Sequence, residues 1–131
     1  MHLLYNFSTY ITSKIVLLTT SFSKKMSLFV NGRKTVFKTL SKTIKPESKT
    51  IWFHCASLGE YEQGVPIMEK TKELFQDHQL IVTFFSPSGF EVKKKSSLAD
   101  VLVYLPIDTE KNAKTFLKLV HPSLAIFIKY E

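Results

Sequence analysis

Cysteine is nearly missing from this sequence. Cys55 is the single one, which rules out an internal disulfide framework and a multi-cysteine zinc site and fits a reducing, cytoplasmic setting. Its surroundings, Ile51-Trp52-Phe53-His54-Cys55-Ala56, suit a small buried hydrophobe better than a nucleophile. Glycine-rich phosphate loops are missing as well. There are four glycines, and neither Gly-x-Gly-x-x-Gly nor Gly-Lys-Ser/Thr occurs, so dinucleotide or nucleoside-triphosphate binding by this region lacks its usual support. No uncharged apolar run of about 18 residues exists to cross a bilayer, because Lys14 and several hydroxyl residues interrupt the N-terminal apolar stretch. The bases follow that stretch instead of preceding it, so a cleaved secretory signal is not expected. His2, His54, His78 and His121 show no spacing suited to a shared metal ion, and neither a metal nor a resident cofactor is expected.

Acid is scarce at one end only. Residues 1–49 hold Lys14, Lys24, Lys25, Arg33, Lys34, Lys38, Lys42, Lys45 and Lys49 against Glu47 alone, a net charge of +8, and the remainder is close to neutral. Clustered bases favour a polyanionic surface, either phospholipid headgroups or nucleic acid. The neighbouring apolar stretch favours lipid, so an anionic membrane surface is the expected partner and nucleic acid is not. Leu4, Phe7, Ile11, Ile15 and Leu18 recur at helical spacing with polar residues between them. An interfacial helix follows, with that face in the headgroup boundary and Lys24, Lys25, Arg33 and Lys34 against anionic lipid. The alternative is an amphipathic helix packed on a partner domain.

What the sequence does contain is a hydrophobic core's worth of side chains: 44% of its 131 residues are hydrophobic and 22% charged. That is enough for one domain and an appendage. Residues 1–40 read as the helical leader and the polar, proline-bearing residues 41–50 as a linker. From residue 51 short apolar runs alternate with helical stretches, the pattern of βαβ units and a parallel sheet. The expected strands are Ile51–Cys55, Leu80–Phe85, Val101–Leu105 and Leu124–Tyr130. The expected helices are about Glu60–Phe75, with Val65, Met68, Leu74 and Phe75 facing the sheet, Gly89–Ser97, and Thr109–Val120 capped by Asp108 and ended by His121-Pro122. Right-handed crossovers give the strand order 3-2-1-4, with a ligand crevice at the carboxyl ends of the strands.

That geometry directs attention to the loops Ala56-Ser57-Leu58-Gly59, Ser86-Pro87-Ser88-Gly89 and Pro106-Ile107-Asp108. Gly59 would permit a tight turn, and Glu60 in the first helical turn could serve as a general base or could simply complement the helix dipole. Ser86 and Ser88 could hold an anionic ligand or stabilise the turn. Lys93-Lys94-Lys95 reads as a solvated helix face that could also meet phosphate.

The segments Ile51–Glu60, then Val82-Thr83-x-x-Ser86-Pro87-Ser88-Gly89, then Val103-Tyr104-Leu105-Pro106-Ile107-Asp108 together resemble the N-terminal half of bacterial Kdo (3-deoxy-D-manno-octulosonic acid) transferases. Leu3-Leu4-Tyr5-Asn6 and Asn31-Gly32-Arg33-Lys34 resemble that family's leader and its Gly-Arg-Lys stretch. The resemblance implies an α/β, Rossmann-like acceptor-side domain of a two-domain GT-B glycosyltransferase. Such an enzyme moves Kdo from CMP-Kdo to a lipid A precursor in lipopolysaccharide biosynthesis, at the cytoplasmic face of the inner membrane, without a required metal. It further implies that Glu60 is the catalytic base and that Ser57, Gly59, Ser86, Ser88, Gly89 and Glu131 shape the acceptor site. Where the family reads Glu-x-Glu-x-Trp-Pro, this chain has Lys129-Tyr130-Glu131, with Glu131 at the second acid and Lys129 at the first. The donor-binding domain is expected beyond residue 131, so the chain alone is expected not to turn over substrate. Two competing readings are a non-enzymatic, membrane-attached flavodoxin-like interaction module and a GT-B enzyme for another sugar.

Overall fold

The computed structural model describes residues 8–12, 15 and 24–129, with Lys24 described by its backbone alone. Helical backbone at residues 8–12 and 15, then the helices α1 (Lys24–Lys34) and α2 (Val36–Thr43), precede an alternating unit. It runs β1 (Lys49–Cys55), α3 (Leu58–Leu74), β2 (His78–Phe84), α4 (Pro87–Lys93), β3 (Val101–Tyr104), α5 (Glu110–Val120) and β4 (Pro122–Ile128). The four strands form one parallel sheet in the order β3-β2-β1-β4, so both the expected fold class and the expected strand order hold. β1 is central, pairing Phe53 with Val82 on one side and with Ile126 on the other.

Alternating residues of each strand feed two cores, because successive side chains point to opposite faces. Trp52, Ile81, Val101 and Val103 pack with Val36, Leu40 and Ile44 from α2 and its C-cap and with Phe116 and Val120 from α5. Ile51, Phe53, Cys55, Leu80, Val82 and Phe84 pack with Tyr61 and Met68 of α3. Residues 36–44 are therefore core of the sheet domain. Part of the expected leader and linker is structural, and the segment without regular structure shrinks to residues 44–48.

Three details depart from the sequence reading. Leu74 is 63% exposed and Phe75 42% exposed, not turned to the sheet. The buried line of α3 runs through Tyr61, Gly64, Met68 and Thr71, and the helix ends one residue before Phe75. Thr109, not Asp108, caps α5, its side chain accepting from the Asn112 amide. Gly59 makes no left-handed turn, since no glycine has a positive φ; it lies within the first turn of α3. Helix α5 does end where expected, at His121, which takes the left-handed conformation (φ 36°) before Pro122.

Candidate functional site

Because β2 and β4 flank β1, the chain leaves β1 on one side through β2 and β3 and returns on the other side as β4. This is the switch point at which open parallel sheets bind ligands. The loop after β1 supplies Ser57 and Glu60 to this place. Ser57 is the N-cap of α3, and its hydroxyl accepts from the Glu60 amide at 3.3 Å. The Glu60 carboxylate reaches back in turn: Oε2 accepts from the amides of Ala56 and Ser57. This reciprocal capping box satisfies backbone donors that a helix start would otherwise leave open. The Ser-x-x-Glu spacing is itself the sequence signature of that box, a signal hidden behind the chemical reading of the motif.

The box has two consequences. Glu60 is half-buried and fixed in direction, with Oε1 outside the box's hydrogen bonds. Its charge is also felt below, at the last residues of β1. Burial, then the Glu60 charge, push the Cys55 thiol up to about 12, so this fully buried cysteine is no nucleophile near neutral pH.

The other expected site residues fall around the same edge. Ser86 and Ser88 are joined by their hydroxyls at 2.7 Å, and the Ser86 amide bonds Ala56 O at 2.9 Å, tying the second loop to the first. Gly89 is required by packing: a Cβ there would meet the Phe84 ring at 2.6 Å and the Leu58 amide at 3.0 Å. Glu131 lies outside the described residues, as do Leu4, Phe7 and Leu18. Ile11 and Ile15 are exposed on helical backbone, as are Lys25 and Lys34 on α1. No described helix is long and apolar enough to cross a membrane. Lys93 and Lys94 are committed to Glu62 and Glu91.

Arg33 corrects the expectation that placed it at lipid headgroups. It turns inward, donating from Nε to Leu105 O and from Nη2 to Phe85 O, both at 2.9 Å. Nη1 bonds Phe29 O, and the guanidinium lies 3.6 Å from the Phe29 ring centroid. Those two carbonyls begin the loops after β3 and β2, so one side chain clasps both to α1. Burial lowers the guanidinium to about 10, leaving it cationic near neutral pH. Gly32 lets α1 approach, since a Cβ there would overlap the Tyr104 ring. Beside the clasped loop, a cavity of about 250 Å³ opens over Trp52, Ile107, Phe116 and Leu117, with Asp108 and Asn112 among its polar lining.

His54 is the site residue that strand burial concealed in the sequence. It stands next to last in β1, and its Nδ1 is 2.9 Å from Thr83 Oγ1, which also accepts from Trp52 Nε1 at 2.8 Å. Its ring meets Phe127 of β4 edge-on at 5.8 Å. Burial lowers the His54 imidazole from its ordinary value, opposed by a hydrogen bond to the Thr83 backbone and by the Glu60 charge.

Known proteins are similar to this sequence. The glycosyltransferase N-terminal family model described as 3-Deoxy-D-manno-octulosonic-acid transferase (kdotransferase) matches residues 30–131. The 3-deoxy-D-manno-octulosonic acid transferase of Aquifex aeolicus is 35% identical over 91 residues, covering 69% of this chain and 25% of that protein. The Chlamydia trachomatis serovar D protein of the same name is 27% identical over 101 residues, covering 76% of this chain and 23% of that one. A probable mitochondrial 3-deoxy-D-manno-octulosonic acid transferase of Arabidopsis thaliana is 32% identical over 89 residues, 67% of this chain and 20% of its own. The chain thus spans about a quarter or less of the curated relatives it matches. No solved structure matches it. By a match that runs from residue 30 to residue 131, the chain belongs to the Kdo transferase family and carries its N-terminal region.

Proposed function

We propose that this chain is the acceptor-side region of an enzyme that transfers Kdo from CMP-Kdo to a lipid A precursor, with Glu60 as the general base. The observation that carries the reading is the fixed Glu60 carboxylate at the switch point above β1, with Oε1 outside the capping box. In the reaction Oε1 takes the proton of the acceptor sugar hydroxyl as that oxygen attacks the anomeric carbon of Kdo, and the bond from that carbon to the phosphate oxygen breaks, with CMP leaving with the electron pair. General-base help of this kind contributes roughly 100- to 10,000-fold. Family membership supports the sugar; the positions of Ser57, Gly59, Ser86 and Ser88 along the same edge support the acceptor side. The donor is held by the region of the intact protein beyond this domain.

The exposed apolar residues Ile11 and Ile15 and the bases Lys25 and Lys34 support attachment to an anionic membrane at the cytoplasmic face of the inner membrane. The leader then keeps the acceptor's acyl chains in lipid while its sugar reaches Glu60. The test is a transfer assay with CMP-Kdo and lipid A precursor in anionic vesicles. It uses a protein that joins this chain to the rest of the length its relatives have. Transfer with vesicle binding that weakens in high salt supports the reading, and absence of Kdo transfer with both substrates bound refutes it.

A further inference from the structure

The C=O and N–H of one trans peptide group point to opposite sides, so the hydrogen bonds of a parallel sheet run in rows from strand to strand. Two such rows close the carboxyl end of this sheet. In the inner row the Leu105 amide donates to Phe84 O at 2.8 Å, and the N–H of that same peptide group, on Phe85, donates to Cys55 O at 3.4 Å. The peptide group that begins with Cys55 O then presents the Ala56 amide to Glu60 Oε2. In the outer row Arg33 Nη2 donates to Phe85 O at 2.9 Å, and the Ser86 amide of that peptide group donates to Ala56 O at 2.9 Å. The next peptide group presents the Ser57 amide to the same Glu60 oxygen at 3.3 Å. Both rows end on one carboxylate oxygen, and the outer row begins on a cation.

That cation heads a single row. Arg33 Nε also donates to Leu105 O, but the nitrogen after that carbonyl belongs to Pro106 and has no hydrogen to pass on. Its third bond, from Nη1 to Phe29 O, stays within α1. All three partners are carbonyl oxygens, and among the described residues no carboxylate forms an ion pair with the guanidinium. Its charge is therefore not cancelled where it sits, and it polarises the peptide group it holds. A charged donor makes a bond about twice as strong as a neutral one, and successive bonds in a chain strengthen one another by about 10–30%.

We infer, on the function proposed above, that Arg33 is a positioning residue for the reaction, tightening the grip on Glu60 Oε2 through the Phe85–Ser86 and Ala56–Ser57 peptide groups so that Oε1 meets the acceptor hydroxyl in one orientation. Arg33 touches neither substrate in this role. Its effect falls on the alignment of the base in the transition state, so kcat carries it and the KM values do not. The inner row, which does not start at Arg33, serves as a built-in control.

Two experiments test the row and its purpose separately. On this chain, NMR reads the amide proton shifts of both rows. In Arg33→Gln, which removes the cation, the Ser86 and Ser57 amide protons are expected to move upfield as their bonds weaken, and those of Phe85 and Ala56 are expected to move much less. Arg33→Lys, the milder change, is expected to move the same two amides by a smaller amount. Equal movement in both rows, or none in the outer one, overturns the relay.

In the intact enzyme, assayed well below each variant's unfolding midpoint, Arg33→Gln is expected to lower kcat about tenfold, within what a small misplacement of a reacting group costs, with both KM values unchanged. In a Glu60→Gln background, where no base remains to be aligned, the same substitution is expected to lower the residual rate less than about twofold, because the two positions are coupled. An undiminished kcat in Arg33→Gln, or an equal loss in both backgrounds, refutes the positioning role and leaves Glu60 as the base. A Glu60→Gln enzyme that still transfers Kdo at full rate refutes the proposed function and leaves the NMR result on the two rows standing.

Discussion

Replacing Arg33 tests whether the Gly-Arg-Lys stretch is a membrane contact or a clasp. In Arg33→Ala three donor contacts disappear, to Leu105 O, Phe85 O and Phe29 O, each at 2.9 Å, along with the stacking on Phe29 at 3.6 Å. Hydrogen bonds to a charged group are worth about 1.5–3 kcal/mol each and an exposed cation–π contact about 0.5–1 kcal/mol. Water replaces part of this at a half-buried site, so the net loss is about 2–4 kcal/mol. With about 4–8 °C of Tm per kcal/mol, the melting temperature falls by roughly 8–32 °C. Arg33→Lys keeps a charge above Phe29 but spans one carbonyl instead of three, and loses about half as much. Hydrogen exchange should speed up in both loops, around residues 85–89 and 105–109, before it does elsewhere. The clasp is refuted if Arg33→Ala melts within about 2 °C of the parent, well below the shift worked out above, while binding to anionic vesicles drops sharply.

Other substitutions probe the frame around the site. His121→Gly is expected to raise stability by about 0.5–1 kcal/mol in urea unfolding, because His121 holds a left-handed φ that glycine adopts without a Cβ penalty. Gly32→Ala is expected to cost about 1–3 kcal/mol by the same assay, since the new Cβ overlaps a Tyr104 ring that is buried and stacked on Phe90 at 4.1 Å. Burial lowers the His54 imidazole in the folded chain, so between that lowered value and about 6.5 the unfolded chain binds the extra proton. Stability therefore falls as pH drops below about 6.5. His54→Gln should remove that part of the slope when unfolding is compared at about pH 7.5 and about pH 5.5, and an unchanged slope would contradict the burial of His54.

The parallel sheet was legible in the sequence because its strands are short apolar runs separated by helical spacing, and Ile51–Cys55 or Val101–Leu105 admit few other readings. Strand order followed from crossover handedness. Helix faces were less legible near their ends. Leu74 and Phe75 continue an apolar pattern that the helix no longer carries, and their exposure depends on where α3 stops over the sheet. Charge misled at Arg33, whose neighbour Lys34 is basic and exposed. Its neighbours in space are two loop carbonyls that lie 52 and 72 residues away along the chain, and no local pattern encodes them. His54 was hidden for a related reason: inside an apolar strand it reads as filler, and only the β1–β2 register brings Thr83 beside it. Glu60 was singled out through its motif, and the same spacing specified the capping box that the structure shows.

The capping box together with the proposed role as base makes one substitution decisive. Glutamine can keep the capping box, because its side-chain oxygen accepts as a carboxylate oxygen does, but it cannot take a proton from a sugar hydroxyl. The measurement is the single-turnover rate of Kdo transfer by Glu60→Gln in the intact enzyme, with both substrates saturating and the unfolding midpoint recorded alongside. A fall of about 100-fold or more, with the midpoint unmoved, is the predicted result. A rate within about threefold of the parent, far short of what loss of a general base costs, would contradict the assignment of Glu60 as the base.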